Sequence, residues 1–262
     1  MQIGLKVIIL KDMINLENSF KKFEEIYKLK AELPFFFFFK SQELLRLLSF
    51  KKKFRSKTNL LKKILIFILN FLFFLISLFN IIKLFFFSKK IAHLFIQINN
   101  SSDQYDHRSK HIFEIIHPKK TINLIILNDL KSGLKNVLKI PNAIYILQIK
   151  KFLQYFIFQN EVIFLKKQFK KLTSIFTDDF DSYFREAVAS KKLHNFLFFV
   201  FKFLRVKKII AIDDPRNINE ILHCAKLLNI FTIGYQHARF NRYHVGLMQQ
   251  SFDKYFVWNL IL

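Results

Sequence analysis

The stretch from Ile64 to Ile82 constrains the fold of this chain more than any other, because its nineteen residues include no charged side chain. Sixteen of the nineteen are Ile, Leu or Phe. As an α-helix the stretch would be roughly 28 Å long, close to the thickness of a bilayer's hydrocarbon core. At roughly −0.3 to −0.6 kcal/mol per residue, the apolar side chains favour membrane insertion by about 5 to 9 kcal/mol. The stretch must therefore be withdrawn from water, in a membrane or in a protein core.

Three polar residues interrupt this stretch, and they share one side of the predicted helix. Asn70, Ser77 and Asn80 fall within about 80° of one another at helical spacing, and Lys63 extends the same stripe. The stripe is compatible with three structures. The helix could cross a membrane and use the stripe to pack on other helices, lie in the plane of the membrane surface, or be the buried helix of a soluble domain.

The chain is strongly basic, with 43 Lys and Arg against 19 Asp and Glu and a formal charge of +24. Such a charge favours nucleic acids and anionic membrane surfaces. However, the chain also has 36 Phe, and Phe, Ile, Lys and Asn share AT-rich codons, so compositional bias explains part of the excess. No zinc-finger, RNA-recognition or basic-zipper motif is present, so the charge does not indicate a specific nucleic-acid site. The single cysteine, Cys224, excludes an internal disulfide framework and is expected to be a small buried hydrophobe.

The changing pattern of residues predicts three regions. Residues 1–96 form a basic, Phe-rich, helical, membrane-associating region, which includes five consecutive phenylalanines at 35–39. Residues 97–120 form a polar linker, in which His107 and His111 lack a third residue at metal-ligand spacing, so no metal site is predicted. Residues 121–262 form an α/β domain with a Rossmann-like parallel sheet. Its first strands are 122–127 and 143–147, its helices cover roughly 149–172 and 180–204, and Thr177 to Asp179 are expected to cap the second helix.

Residues 207–237 have the pattern of a strand–helix–strand unit. The apolar strand 208–212 is followed by Asp213, Asp214 and Pro215, which suit the start of a helix. Apolar residues then recur at helical spacing up to Leu228, and Asn229 is a plausible stop before the strand 231–235. Such a unit in a parallel sheet is almost always a right-handed crossover, so both strands should point the same way.

Polar side chains follow both of these strands. Asp213 and Asp214 come after the first, and Gln236 and His237 come after the second. Ligands of open α/β sheets bind at the carboxyl ends of the strands, where a carboxylate and an imidazole could form a base and its orienting partner. The same residues could equally be helix caps and a loop histidine.

The stretch from residue 209 to residue 259 resembles the end of the N-terminal domain of GT-B-type glycosyltransferases, in particular those that build bacterial surface polysaccharides. The family pattern has an acidic residue after a strand, then a helix, a strand that ends in Gln-His-Gly, a Tyr- and Gly-containing loop, and an Asp-x-Tyr-Phe-Val-Trp-Gly strand. The matching positions are Asp213 or Asp214, Gln236-His237, residues 243–246 and residues 253–258. Ala238 and Asn259 stand where the family has glycine.

This resemblance implies a role for each matched position. His237 would contact or deprotonate the hydroxyl of a saccharide or lipid-linked acceptor, supported by Asp213 or Asp214. Gln236 and Tyr243 would line the acceptor cleft. His244, Arg239 and Arg242 could also line it and meet phosphate or carboxylate groups, or they could belong to a solvated basic loop. The nucleotide-sugar donor would bind to a second Rossmann-like domain, beyond the last residue of this sequence. We therefore expect a half-enzyme that binds no cofactor itself and needs a separately encoded donor-binding domain for activity.

The resemblance also bears on localisation. Nine Lys and Arg lie between residues 40 and 63, against five basic and two Asp residues between 83 and 110, which would place a spanning helix with its N-terminus in the cytoplasm and the α/β domain outside. Nucleotide-sugar chemistry instead favours the cytoplasmic face of the inner membrane. A helix in the membrane plane, or a second crossing, would remove this conflict. Two alternatives remain, which are a non-catalytic membrane-bound remnant or scaffold and a basic nucleic-acid-binding protein.

Overall fold

A computed structural model describes the main part of the chain. The described residues are 60–86, 91–97, 121–127, 140–172, 181–212, 218–235 and 252–256, together with isolated positions at 18, 20, 21, 24, 25, 112, 115 and 116. Within them lie five α-helices: α1 (Leu60–Phe85), α2 (Ile146–Leu153), α3 (Gln159–Leu172), α4 (Asp181–Phe203) and α5 (Ile218–Leu227). The strands are β1 (Ile91–Gln97), β2 (Ile122–Leu127), β3 (Ala143–Tyr145), β4 (Lys208–Ile212), β5 (Phe231–Tyr235) and β6 (Lys254–Phe256). A single 3-10 turn, Gln154–Phe156, follows α2.

The six described strands form one parallel sheet in the order β3-β2-β1-β4-β5-β6. This is the strand order of the dinucleotide-binding α/β folds, in which the chain runs outward from the centre in one direction and then in the other. The order reverses between β1 and β4, which are hydrogen-bonded neighbours from Ile91↔Lys208 to Leu94↔Ala211. The predicted α/β class and the parallel sheet are confirmed.

One face of the sheet carries the larger core, because α2, α4 and α5 pack together over it. Apolar residues from β1, β2 and β4 meet apolar residues of these three helices there, and the cluster includes Leu124, Ile149, Leu197, Ile209 and Ile221. All six side chains of β2 are buried, as expected for a strand covered on both faces.

Helices α4 and α5 end in the same way, and each ending leads directly into a strand. Arg205 and Asn229 have positive φ angles of 53° and 54°. The N–H of Val206 bonds to Phe201 O, and the N–H of Ile230 bonds to Ala225 O. These are the six-to-one bonds of the Schellman motif, with one residue in the left-handed region. The expected stop at Asn229 is confirmed.

Helix α1 covers the free edge of the sheet. Strand β3 is an edge strand, and an uncovered edge exposes unpaired backbone groups. Ser77 Oγ accepts the backbone N–H of Tyr145 at 3.0 Å, and Asn80 Nδ2 donates to Ala143 O at 2.8 Å. Two members of the polar stripe, Ser77 and Asn80, therefore pair with the backbone of β3, whereas Lys63 is exposed and the buried Asn70 amide has no hydrogen bond among the described residues.

The structure differs from the expected regions at the start of the α/β unit. Strand β1 lies at the centre of the sheet, although its residues were placed at the end of the N-terminal region and at the first linker position. Ile81 and Leu84 of α1 belong to the larger core. Helix α1 and strand β1 are thus part of the same packed unit as strands β2 to β5 and helices α2, α4 and α5.

Two other differences are local. The strand expected at 143–147 ends at Tyr145, because Ile146 and Leu147 already belong to α2. The helix expected over 149–172 is two helices, interrupted by the 3-10 turn and by Ile157, whose backbone is extended at φ −83° and ψ 117°.

Candidate functional site

The carboxyl ends of β4 and β5 lie side by side, as the sequence predicts. The two strands are parallel neighbours, paired from Lys208↔Phe231 to Ile212↔Tyr235. Asp213 follows Ile212 directly in the chain, and Gln236 follows Tyr235. Strand β4 also borders the position where the strand order reverses, and this position is where open α/β sheets bind ligands.

The candidate side chains themselves lie outside the described residues. This holds for the proposed catalytic residues and for all the proposed acceptor-binding residues, namely Asp213, Asp214, Gln236, His237, Arg239, Arg242, Tyr243 and His244. Five other sequence features also fall outside: the phenylalanines at 35–39, His107, His111, the predicted cap at 177–179 and Trp258. Only the strand ends that precede the candidate residues are described.

The acidic residue of the Asp-x-Tyr-Phe pattern has a structural partner. The Asp253 carboxylate accepts the backbone N–H of Thr232 at 2.6 Å and the hydroxyl of the same residue at 2.8 Å. In return, the hydroxyl accepts the N–H of Asp253 at 3.0 Å. These bonds fix the start of β6 beside β5, so Asp253 positions a strand and is engaged in backbone pairing.

Gly234 allows the segment 252–256 to lie closely on β5. A Cβ atom at this position would be 2.6 Å from ring atoms of both Phe252 and Tyr255, which is well inside van der Waals contact. The two rings stack on each other with their centroids 5.7 Å apart. The glycine therefore brings β6 and its aromatic residues against the strand that carries Gln236 and His237 at its end.

A buried ionic cluster joins the three helices on the main face of the sheet, and sequence reasoning missed it. Lys150 of α2 has its Nζ atom 3.0 Å from Glu220 Oε1 of α5 and 2.9 Å from Glu186 Oε1 of α4. The ammonium group also donates to the hydroxyl of Ser190, and Gln154 Nε2 donates to Glu186 Oε2 at 2.6 Å. The side chain of Lys150 is only 1% exposed and that of Glu220 only 4%.

The cluster lies towards the carboxyl edge of the sheet. Lys150 is five residues beyond the end of β3, and Glu220 is in the first turn of α5, the helix that follows β4. Burial alone would lower the pKa of Lys150, but the charges of Glu220 and Glu186 raise it above its ordinary value. The lysine is therefore held in its charged form, which suits a fixed ion pair and not a general base.

A pair of histidines extends this polar region along α4 and α5. His223 Nδ1 lies 2.8 Å from His194 Nε2, and His194 Nδ1 lies 3.2 Å from Asn195 Oδ1. Because Asn195 Oδ1 can only accept, His194 donates through Nδ1 and accepts the N–H of His223 through Nε2. Burial lowers the pKa of both imidazoles, and Lys226 lowers that of His223 further. Both rings are therefore neutral near pH 7.

Cys224 is buried beside this pair, as expected. Its thiol is in the larger core, fully removed from solvent, and donates to His194 O at 3.3 Å. Burial raises the pKa of the thiol well above its ordinary value, so the sulfur is not a nucleophile.

Helix α1 presents a broad apolar surface on the side opposite to β3. It is long and apolar enough to cross a membrane, with a mean hydropathy of 2.6. Among the described residues, only 22% of its most apolar stretch of 18 residues is buried in the protein. Nine of the nineteen residues from 64 to 82 are exposed and all are Ile, Leu or Phe: Ile64, Leu65, Ile68, Phe71, Leu72, Leu75, Leu78, Phe79 and Ile82.

Comparisons of the chain with models of protein families, with curated proteins and with solved structures gave no match.

Proposed function

We propose that the α/β unit of this chain is the acceptor-binding domain of a glycosyltransferase of surface-polysaccharide assembly. A sugar would pass from a nucleotide donor to a saccharide or a lipid-linked acceptor. The observation that supports this most is the parallel pairing of β4 and β5, which ends at Ile212 and Tyr235. The residues that match the family's motif follow these two positions, beside the crevice that ligands use in open α/β sheets.

Most of these roles follow from the motif that the residue matches. Arg239 and Arg242 lie outside the motif and are assigned because guanidinium groups bind phosphate and carboxylate groups. His237 takes the proton of the acceptor hydroxyl as the hydroxyl oxygen bonds to the anomeric carbon and the nucleotide leaves. Asp213 or Asp214 orients the imidazole, and Gln236, Arg239, Arg242, Tyr243 and His244 bind the acceptor. The nucleotide sugar is held by a donor-binding domain, as in the enzymes that the motif resembles. General-base assistance of this kind is worth roughly 10² to 10⁴ in rate.

The proposed place of action is the cytoplasmic face of the inner membrane. Helix α1 and the formal charge of +24 both support attachment to an anionic membrane surface. Nucleotide-activated sugars are cytoplasmic substrates, and a lipid-linked acceptor would be presented on the same side of the membrane.

The test is sugar transfer in membranes isolated from cells that express the protein. Labelled nucleotide sugars are supplied, and label is counted in the lipid-linked and polysaccharide fractions. We expect His237→Ala to lower the rate by roughly 10²- to 10⁴-fold. His107→Ala, a histidine outside the motif, serves as the matched control and should leave the rate unchanged.

Two results would contradict the proposal. Equal rates for the His237→Ala variant and the parent chain would remove His237 from the mechanism. The protein could also bind saccharide but transfer none of the supplied sugars. That result would favour a non-catalytic membrane-bound scaffold.

A further inference from the structure

On an ordinary surface helix, the apolar side faces the protein and the polar side faces the solvent. Helix α1 has the reverse arrangement. The side against the protein carries the polar groups, since Asn70 and Ser77 are buried and Asn80 is half-buried. The side away from the protein is entirely apolar over residues 64–82. At about 100° per residue, the centres of the two sides are roughly 180° apart. A soluble domain turns such a helix the other way round.

Two residues of the polar side, Ser77 and Asn80, are hydrogen-bonded to the sheet edge formed by β3. Ser77 donates to Phe73 O at 2.8 Å and accepts from the N–H of Tyr145, while Asn80 binds Ala143 O. These bonds satisfy backbone groups of an edge strand that would otherwise be buried and unpaired. The helix therefore cannot rotate its apolar side inward without breaking them.

Contacts between α1 and the α/β unit extend along most of the helix. The ring of Phe67 lies 4.7 Å from that of Tyr155, and the ring of Phe85 stacks on Phe203 at 4.2 Å. These two positions are eighteen residues apart, or roughly 27 Å of helix. A bilayer's hydrocarbon core is about 30 Å thick. If α1 crossed it, the edge of the sheet and parts of α2 and α4 would have to enter the hydrocarbon.

The surroundings of the apolar side suit a membrane surface. Tyr155 and Phe156 are half-exposed next to the first half of α1, and Phe203 is half-exposed at its other end. Lys62, Lys63 and Lys83 are exposed near the ends of the helix, which has no acidic residue. Aromatic side chains and lysines around an apolar strip are typical of helices that lie at the boundary between headgroups and acyl chains.

We propose that α1 lies flat in the surface layer of an anionic bilayer, with its outer side (Ile64, Leu65, Ile68, Phe71, Leu72, Leu75, Leu78, Phe79 and Ile82) among the acyl chains and its inner side on β3. Helix α1 then attaches the protein to one leaflet and does not itself span the membrane. This inference deepens the membrane attachment in the proposed function. It does not depend on sugar transfer. Membrane binding by α1 and sugar transfer are measured separately, so either one can be contradicted while the other is supported.

The first experiment is flotation of the purified full chain with preformed vesicles of phosphatidylcholine and phosphatidylglycerol. We expect the parent chain to float with them. Leu75→Gln/Phe79→Gln removes two large side chains from the lipid, so the partition coefficient should fall by about 10-fold or more. Leu227→Gln changes an exposed leucine of α5 and serves as the matched control, which should float like the parent.

The variants are first checked by circular dichroism, and both substituted positions are exposed, so the fold should be retained. Flotation of the double variant at the parent level would overturn the proposal. So would a parent chain that stays unbound and sediments as a dimer through this surface, because the occupant would then be a second copy of the chain.

The second experiment distinguishes a flat helix from a spanning one. Single cysteines are introduced as Leu60→Cys and Phe86→Cys, on exposed positions at the two ends of α1. Cys224 is buried, and the parent chain measures its background labelling. After binding to vesicles, both new thiols should react with an impermeant maleimide added outside. Protection of one of them until detergent is added would show a spanning helix and overturn the proposal.

Discussion

At the scale of single residues, Lys150 of α2 links three helices, because its ammonium group forms ion pairs with Glu186 of α4 and Glu220 of α5. Lys150→Met leaves the buried carboxylate of Glu220 and the partly exposed carboxylate of Glu186 without their cation. We expect this change to lower the free energy of unfolding by about 3 to 5 kcal/mol. Lys167→Met, at an exposed lysine of α3, should change it by less than about 0.5 kcal/mol. Urea unfolding followed by circular dichroism measures both.

The opposite result would be equally informative. A Lys150→Met variant as stable as the parent would mean that the two carboxyl groups tolerate burial without the lysine. The ionic cluster would then not hold the three helices together.

The histidine pair predicts a dependence of stability on pH. Burial lowers the pKa of His194 and His223 below the ordinary value, so below about pH 6.5 the unfolded chain binds protons that the folded chain does not. Stability contributed by the neutral pair is complete above that pH and is lost as the pH falls through the interval down to the folded pKa values. Glu220, close to His194, opposes part of this loss.

Urea unfolding at pH values from about 7.5 to 5 should show the decline. His223→Gln, which does not titrate in this range, should have a flatter profile than the parent. Profiles of identical slope would show that the pair does not contribute to the pH dependence.

Of these buried residues, the sequence predicted the burial of Cys224 but not the ionic cluster around Lys150. Cys224 was predicted correctly, because an apolar helical face around it indicates burial. Lys150, Glu186 and Glu220 were not found, because they come together from three helices and no spacing along the chain links them. In a chain with 43 basic residues, one buried lysine has no distinguishing signal.

At the scale of secondary-structure elements, α1 and β3 stabilise each other through the edge of the sheet. Ser77→Ala leaves the buried N–H of Tyr145 without its acceptor, which should cost about 1 to 3 kcal/mol. Leu78→Ala, one residue along on the outer side, is the matched control in the absence of lipid. Hydrogen exchange of the peptide that contains Tyr145 should accelerate in the first variant only. Unchanged exchange there would show that α1 does not protect β3.

Most of the described elements were predicted closely, including the helix around 64–82 and the strand 122–127, but strand β1 was missed. Strands 208–212 and 231–235 agree with the sequence prediction because each is a short apolar run between clear helix signals. Strand β1 was missed because His93 and Gln97 make its apolar pattern weak, and because it follows a helix that already accounted for the apolar residues nearby. The polar stripe of α1 was recognised, but only the fold shows that its partner is a strand edge.

At the scale of the whole molecule, the positive charge and the apolar helix should contribute separately to membrane binding. The Debye length falls from about 10 Å at 0.1 M salt to about 3 Å at 1 M. We expect added salt to weaken binding to anionic vesicles and to have little effect on the smaller amount bound to phosphatidylcholine alone. Vesicle sedimentation over a salt series measures both.

The same series tests the nucleic-acid alternative. In this test, duplex DNA or RNA competes with anionic vesicles for the protein at each salt concentration. A nucleic-acid-binding protein would prefer the nucleic acid throughout, and the logarithm of its affinity would fall steeply with the logarithm of the salt concentration. We expect lipid to compete successfully, because only the bilayer can also bury the outer side of α1.

The sheet order also sets a distance between the membrane and the candidate site. Helix α1 lies against β3, and β5, which ends just before Gln236, is four strands further across the sheet. At about 4.8 Å per strand, this separation is roughly 19 Å. With α1 on the lipid, the width of the sheet would set the distance between the membrane surface and the candidate site. A sugar attached directly to a lipid phosphate would be too short, and the acceptor would need to be a chain of several sugars that reaches up from the leaflet.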